Sequence, residues 1–146
     1  MSEPYTGSIE DGTHHFAVRV YYEDTDAGGV VYHANYLRFM ERARTDMLSH
    51  CGVHLGAALA AGEGTYVVAT MDLRFRAPAR LGDALTISSR MTELRGSSSV
   101  IHQAVSRDRL ELVTANVTVA FVGADGRPRR QPAAWTQAFR AVTGAC

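Results

Sequence analysis

Cysteine is scarce in this chain of 146 residues, which contains only Cys51 and Cys146. Two cysteines supply neither a disulfide framework nor a metal site built from four thiolates, so we expect a reduced, cytoplasmic protein. The six histidines lack a ligand spacing such as His-Glu-x-x-His. The sequence therefore predicts no metal site.

An excess of either charge is also missing, because fifteen basic residues balance fifteen acidic ones. Without a strong net field, we expect no binding to nucleic acid. The chain has no run of 18 apolar residues, and its polar start lacks the apolar core of a secretory leader. We therefore expect no membrane insertion.

Hydrophobic residues make up 46% of the chain, which is enough to build a core. The length predicts a single domain. We divide the chain into a flexible N-terminal arm (1–13), one domain (14–140) and a C-terminal tail (141–146).

The hydrophobic pattern changes period along the chain. Residues 15–23 alternate as a strand does, and residues 34–51 place apolar side chains three and four apart, as an amphipathic helix does. A short helix over 56–61, four further strands and a last helical turn near 135–139 follow. The order predicts an α+β domain with an antiparallel sheet, whose open edges favour association with a second copy.

The stretch between the first strand and the long helix carries a family resemblance. Residues 21–48 read YYEDTDAGGVVYHANYLRFMERARTDML, and the sequence continues with APARLGD at 77–83 and LRGSSS at 94–99. These runs resemble the hotdog-fold acyl-CoA thioesterases of the 4-hydroxybenzoyl-CoA thioesterase branch, in particular those associated with the Tol–Pal system. The resemblance implies a hotdog fold, an antiparallel five-stranded sheet wrapped around one long helix.

The resemblance also implies a site. Asp26 matches the catalytic carboxylate of that branch, and the backbone N–H near His33 matches the group that polarises the thioester carbonyl. The implied enzyme needs no cofactor, because coenzyme A is part of the substrate. It acts as a homo-oligomer, a dimer or a tetramer, with the active site at the interface of a dimer.

The residues suit this chemistry. A helix that begins at Ala34 offers free N–H groups and a positive dipole end to the negative charge on a carbonyl oxygen. Gly28 and Gly29 lack a Cβ and let a substrate pass close. Asp26 acts either as a nucleophile or as a general base on water, and the sequence leaves both open.

Other side chains are secondary candidates. His33 is a second catalytic candidate, Tyr32 a candidate wall of the acyl pocket, and Glu41 a reserve catalytic acid, although a solvated charge explains it as well. A turn of Arg and Ser residues suits the phosphates of coenzyme A, or is a plain hairpin turn. The residues of this turn are Arg95, Gly96, Ser97 and Ser98.

The sequence thus predicts an enzyme that hydrolyses an acyl-CoA to a free acid and coenzyme A. Two other functions stay open. One is a hotdog hydratase, which also uses an acid and a histidine. The other is a binding module, weakly catalytic or inactive, that recruits acyl carrier protein or enzymes of phospholipid synthesis.

Overall fold

A computed structural model describes residues 2–145, and Cys146 lies outside the described residues. Its elements, in chain order, are β1 (Ser8–Glu10), β2 (Thr13–Arg19), α1 (Asn35–His50), α2 (Leu55–Ala60), β3 (Thr65–Phe75), β4 (Ala84–Leu94), β5 (Ser98–Arg107), β6 (Leu110–Val122) and α3 (Ala133–Thr143). A 3-10 turn at Tyr22–Asp24 separates β2 from the loop that leads to α1. No helix among residues 2–145 is both long and apolar enough to cross a membrane.

The strands form one sheet in the order β1-β2-β4-β5-β6-β3, and all neighbouring pairs are antiparallel. The expectation of five strands was therefore wrong by one. The sixth is β1, which lies inside the segment 1–13 that we expected to be a flexible arm. Its three residues pair with β2, and this pairing holds them in place.

Helix α1 lies against one face of the sheet and fills the core. Met40, Ala43 and Met47 recur at intervals of three and four and are fully buried. The helix contacts β1, β2, β4 and β5. It ends before Gly52, whose φ of +83° takes the left-handed conformation that commonly follows a helix.

Two boundaries differ from the sequence-based expectation. The strand expected over 15–23 ends at Arg19, because the chain turns into the 3-10 turn, and the side chain of Tyr22 is 84% exposed. At the other end α3 continues to Thr143, into the segment expected to be a tail, and Phe139 and Thr143 are buried. At the second boundary, burial of these two side chains against the rest of the fold accounts for the longer helix.

Candidate functional site

The loop between the 3-10 turn and α1 is fastened at both ends. Asp24 is buried; its Oδ2 accepts a 2.8 Å hydrogen bond from the Tyr21 N–H and its Oδ1 accepts one of 2.7 Å from Asn35 Nδ2. The Tyr32 N–H donates to the Asp24 carbonyl at 3.0 Å. Asp24 therefore ties the start of the loop to the first residue of α1, a structural role that agrees with a turn former.

A second set of contacts joins the loop to the connection between β3 and β4. The Val31 N–H donates to the Ala79 carbonyl at 2.9 Å, and the Ala79 N–H donates to the Tyr36 hydroxyl at 3.0 Å. Val30 forms an isolated bridge with Arg80. These contacts hold the segment APARLGD beside the loop, so two stretches of the motif come together in the fold.

Asp26 lies at the exposed bend of this loop. Its Oδ1 accepts a 2.8 Å hydrogen bond from the Gly28 N–H, and its own N–H donates to the Val30 carbonyl at 2.9 Å. A Cβ at Gly28 would lie 3.3 Å from Asp26 Oδ1, and Gly29 has a φ of +79°. Both glycines therefore have a structural role: Gly28 leaves room beside the carboxylate, and Gly29 adopts the backbone conformation of the turn.

The entrance to α1 carries unused backbone donors. The helix begins at Asn35, after Ala34, and the N–H of Asn35 donates to the Tyr32 carbonyl at 2.8 Å. His33 and Ala34 lie outside the helices and strands. Among residues 2–145, neither of their N–H groups donates a hydrogen bond to a backbone carbonyl. Free N–H groups at the positive end of a helix favour a ligand oxygen that carries negative charge.

One cleft joins these features. Asp26, Tyr32, Ala34 and Asn35 line an open cleft of about 320 Å³, together with Glu23, Thr25 and Arg38. Asp26 and the entrance to α1 thus line the same cleft. The arrangement suits a reaction in which a carboxylate acts on a carbonyl carbon while backbone donors hold the carbonyl oxygen.

The imidazole of His33 faces another way. It lines an adjoining cleft of about 330 Å³ with Tyr36 and Phe75, and its ring meets the Phe75 ring edge to face at 6.4 Å. The ring of His33 therefore does not line the Asp26 cleft, whereas the neighbouring residues Tyr32 and Ala34 do.

The turn at Arg95–Ser98 lies far along the same chain. It follows β4, whose eleven residues span about 36 Å, while the start of β4 lies beside the loop. Gln131 fastens the turn, because its Nε2 donates to the Arg95 carbonyl at 2.8 Å and its N–H donates to the Gly96 carbonyl at 2.8 Å. The exposed Arg95 side chain pairs with Glu93. Within this chain, the length of β4 keeps the turn away from Asp26.

Sequence reasoning missed two neighbours of Asp26. Asn35 and Arg38 line the cleft, and neither was among the candidates from the sequence. The spacing held the signal, because Ala34 and Arg38 are four residues apart and share one helix face. Glu41, the reserve candidate, lies one turn further on, outside this cleft.

A histidine and aspartate cluster lies elsewhere, between β2 and α1. Asp46 Oδ2 lies 2.6 Å from His14 Nε2 and 3.4 Å from His50 Nε2, an arrangement that also resembles a set of metal ligands. His14 Nδ1, however, is buried without a partner. A metal-bound histidine normally donates its other N–H, so the geometry fits a neutral His14 whose Nε2–H donates to Asp46.

Comparison with known proteins assigns the chain to a family. Residues 20–142 match the thioesterase-like superfamily. The chain is 50% identical over 107 residues to the acyl-CoA thioester hydrolase YbgC of Escherichia coli O6:H1, covering 72% of this chain and 78% of that protein.

Solved structures agree in fold. The probable thioesterase from Bartonella henselae superposes with a TM-score of 0.77 at 38% identity, over 82% of this chain and 99% of the other. The 4-hydroxybenzoyl-CoA thioesterase from Pseudomonas sp. strain CBS-3 superposes with a TM-score of 0.79 at 23% identity, over 86% and 98% of the chains, and shares the fold. With its sheet packed on α1, this chain has the hotdog fold and belongs to the thioesterase-like superfamily.

Proposed function

We propose that this protein hydrolyses the thioester bond of an acyl-CoA, with Asp26 as the catalytic carboxylate. The observation that carries the proposal is the cleft that Asp26 shares with the entrance to α1. The Escherichia coli relative, half identical over the matched region, is named for this activity. The products are a free acid and coenzyme A, and no cofactor takes part.

The carbonyl oxygen of the thioester faces the start of α1. As the carbonyl carbon is attacked, negative charge grows on this oxygen, and the free N–H groups of His33 and Ala34 stabilise it. Loss of one such donor typically costs on the order of 3 kcal/mol in the transition state. Tyr32 lines the side of the cleft, and the missing Cβ of Gly28 lets the thioester approach Asp26.

Asp26 has two routes to the product. In the first, its carboxylate oxygen attacks the carbonyl carbon, the C–S bond breaks, and the thiolate leaves with a proton from water. Water then opens the mixed anhydride. In the second, Asp26 takes a proton from a water molecule as that water attacks the same carbon, the C–S bond then breaks, and the departing thiolate takes up this proton. Rapid quenching separates the routes, since only the first leaves an acylated Asp26 peptide.

A second copy of the chain completes the site in this proposal. Strand β3 forms one edge of the sheet, and its exposed side chains include Val67, Val68 and Phe75. A long apolar edge strand favours pairing with another strand, here β3 of a second copy. We assign coenzyme A phosphates to an Arg95–Ser98 turn that comes from another subunit, because this turn lies about one β4 length from its own Asp26.

The test is the release of free thiol from a panel of acyl-CoA substrates. Asp26→Asn should lower turnover at least about a hundredfold, as expected for a lost nucleophile or general base. The fold should persist, because the Asp26 carboxylate is exposed and bonds only to the loop. Asp125→Asn, at an exposed turn remote in sequence from the loop, is the matched control.

Near-normal turnover by Asp26→Asn would contradict the proposal and move the catalytic role to another residue. An enoyl-CoA in the panel separates the hydratase alternative, since a hydratase adds water without releasing thiol. Sedimentation of the wild type at working concentration measures the assembly, and a monomer that hydrolyses acyl-CoA at full rate would contradict the shared site.

A further inference from the structure

A buried positive charge without a negative partner lies in the middle of α1. Arg44 is 7% exposed, and its Nη1 donates a 2.9 Å hydrogen bond to the neutral Gln103 Oε1. None of the ion pairs within 4 Å among residues 2–145 includes Arg44. Arginine is rarely buried unless it is paired, so this guanidinium is unusual in lacking a carboxylate.

The partner of Arg44 is held in one orientation. Gln103 is fully buried, and its Nε2 donates both to the Met40 carbonyl at 3.0 Å and to Ser89 Oγ at 2.8 Å. With both N–H groups used, the amide oxygen of Gln103 is directed at Arg44. Burial lowers the pKa of the Arg44 guanidinium, yet an arginine stays charged in proteins. The network therefore positions a cation that it does not neutralise.

The guanidinium faces a cavity. A space of about 200 Å³ between α1 and the sheet is lined by Arg44 and by apolar side chains that include Leu48, Tyr66 and Val119. Among the described residues, His14 Nδ1 is the one buried side-chain polar atom that lacks a hydrogen-bond partner. The Arg44 nitrogens that make no hydrogen bond are therefore not fully buried, and they keep access to open space. The cavity thus combines apolar walls with one fixed set of cationic donors.

The Arg44 cavity and the Asp26 cleft lie along the same helix, and one groove shares lining residues with each of them. Arg38 lines the Asp26 cleft and also a groove on the outer face of α1, and Glu41 and Thr45 line both that groove and the Arg44 cavity. Ten residues separate Ala34 from Arg44, a distance of about 15 Å along the helix axis. An extended acyl chain that starts at the entrance to α1 can follow this groove toward Arg44.

We propose that the Arg44 cavity binds a carboxylate at the far end of the acyl chain, so that the enzyme prefers ω-carboxyl acyl-CoA substrates. The inference rests on the proposed function for the reaction at the other end of the chain. An arginine fork matches a carboxylate, and such a charge-assisted pair is strongest where water is excluded. An unsubstituted acyl chain would leave the buried charge unpaired.

Glu41 is the one competing carboxylate among the residues that line the cavity. It is exposed and lies three residues before Arg44, and its charge acts to raise the pKa of Arg44. A substrate carboxylate passes Glu41 on its way in. Removing this charge with Glu41→Gln should therefore increase the preference for ω-carboxyl substrates, whereas a loss of the preference would contradict the subsite.

The main experiment compares kcat/KM for paired substrates of equal length: adipoyl-, suberoyl- and sebacoyl-CoA against hexanoyl-, octanoyl- and decanoyl-CoA. We expect the wild type to favour one ω-carboxyl member by at least about tenfold, the range for a hydrogen bond to a charged group. Arg44→Met should abolish this preference, and Arg44→Lys should retain part of it. Arg90→Met removes an exposed arginine of β4 that lines neither the Arg44 cavity, the groove nor the Asp26 cleft, and it should leave the preference unchanged.

A binding measurement keeps the test independent of hydrolysis and of the folding of Arg44→Met. Asp26→Asn protein should bind sebacoyl-CoA at least about tenfold more tightly than decanoyl-CoA. Tighter binding with no hydrolysis of any acyl-CoA would refute the proposed function and keep the subsite. Hydrolysis of both substrate sets with equal kcat/KM would overturn the subsite and keep the function. A changed oligomeric mass in Arg44→Met would also overturn it, because Arg44 would then serve a contact between copies.

Discussion

Asn35 Nδ2 donates a 2.7 Å hydrogen bond to Asp24 Oδ1, and both residues are buried. Through this bond the first residue of α1 holds the turn that precedes Asp26. The loop is therefore positioned by the helix whose free N–H groups it faces. The bond therefore helps to fix the distance between the Asp26 carboxylate and the entrance to α1.

Removal of this bond should cost both stability and activity. Asn35→Ala leaves a buried carboxylate oxygen of Asp24 without its partner, which should lower the free energy of unfolding by about 1–3 kcal/mol. Urea denaturation measures the loss, and thiol release measures the effect on turnover. Ser49→Ala on the last turn of the same helix is the control and should change stability by less than about 0.5 kcal/mol. Equal effects of the two substitutions would contradict the anchoring role.

A side chain at Gly29 would have enough room, but the backbone conformation at this position disfavours any residue other than glycine. A Cβ at this position meets nothing within 4 Å, yet φ is +79°. Gly29→Ala should therefore destabilise the protein by about 1–2 kcal/mol, the cost of left-handed backbone for an L-residue. Gly56→Ala in α2, where a Cβ also meets nothing within 4 Å, should instead stabilise by about 0.5–1 kcal/mol. Thermal unfolding of the pair checks the opposite signs.

Acid should destabilise the protein through His14. Burial lowers the pKa of His14 below its ordinary value of 6.5, and the hydrogen bond and charge of Asp46 offset this only in part. The unfolded chain therefore binds the proton more readily than the folded one. Stability is complete above pH 6.5 and falls as the pH drops from there toward the lowered pKa, by up to about 1.4 kcal/mol per pH unit.

Unfolding free energies measured from pH 8 to pH 5 test this direction. His14→Gln should flatten the decline, whereas His54→Gln, at an exposed position, should not. Asp46 acts in a separate range. Its burial favours the neutral form, but hydrogen bonds from His14, Thr6 and Gly7 prevail and hold its pKa below 3.8, so its contribution is lost only at lower pH. A wild-type stability that rises below pH 6.5 would contradict the role of His14.

Cys51 should be inert in the folded protein. It is 6% exposed, and burial raises the pKa of its thiol to about 11, so the reactive thiolate is rare at neutral pH. In a Cys146→Ser background, a thiol reagent should modify Cys51 at the rate of unfolding, and rapidly in denaturant. Fast modification of the native protein would contradict this. The result also sets the background of thiol-release assays.

The regular elements follow from patterns that the sequence displays. Helix α1 was predicted over 34–51 and spans Asn35–His50, because its apolar stripe repeats at the helical period. The four later strands were predicted in number and as an antiparallel sheet, since alternation and short turns are local signals. In the number of strands, the six-stranded sheet differs from the prediction through β1.

Contacts between distant segments left no such signal. Strand β1 has three residues and no alternating pattern, and it forms because it pairs with β2 and because Gly7, just before it, donates to Asp46 Oδ2 at 2.8 Å. Gly7 also has no room for a Cβ, which would lie 2.1 Å from the His15 carbonyl.

In the candidate site, too, the sequence predicts contacts between residues that are close along the chain but not between distant ones. Asp26 and the entrance to α1 are eight residues apart in the sequence, so the motif was enough to bring them together. Arg44 and Gln103 are 59 residues apart, and their pairing depends on how α1 lies across β5. The Arg95–Ser98 turn shows the same limit, because its place relative to Asp26 depends on the length of β4.

The donors at the entrance to α1 belong to the main chain. Replacing the side chain of residue 33 or 34 with most other side chains leaves the N–H groups in place, so an alanine scan would pass over the very atoms assigned to the carbonyl oxygen. Proline alone removes such a donor. Ala34 has a φ of −69°, which a proline ring accepts, but proline there would also push His33 out of the turn that the Asn35 N–H closes onto the Tyr32 carbonyl, so the proposed donors cannot be removed without disturbing the start of the helix.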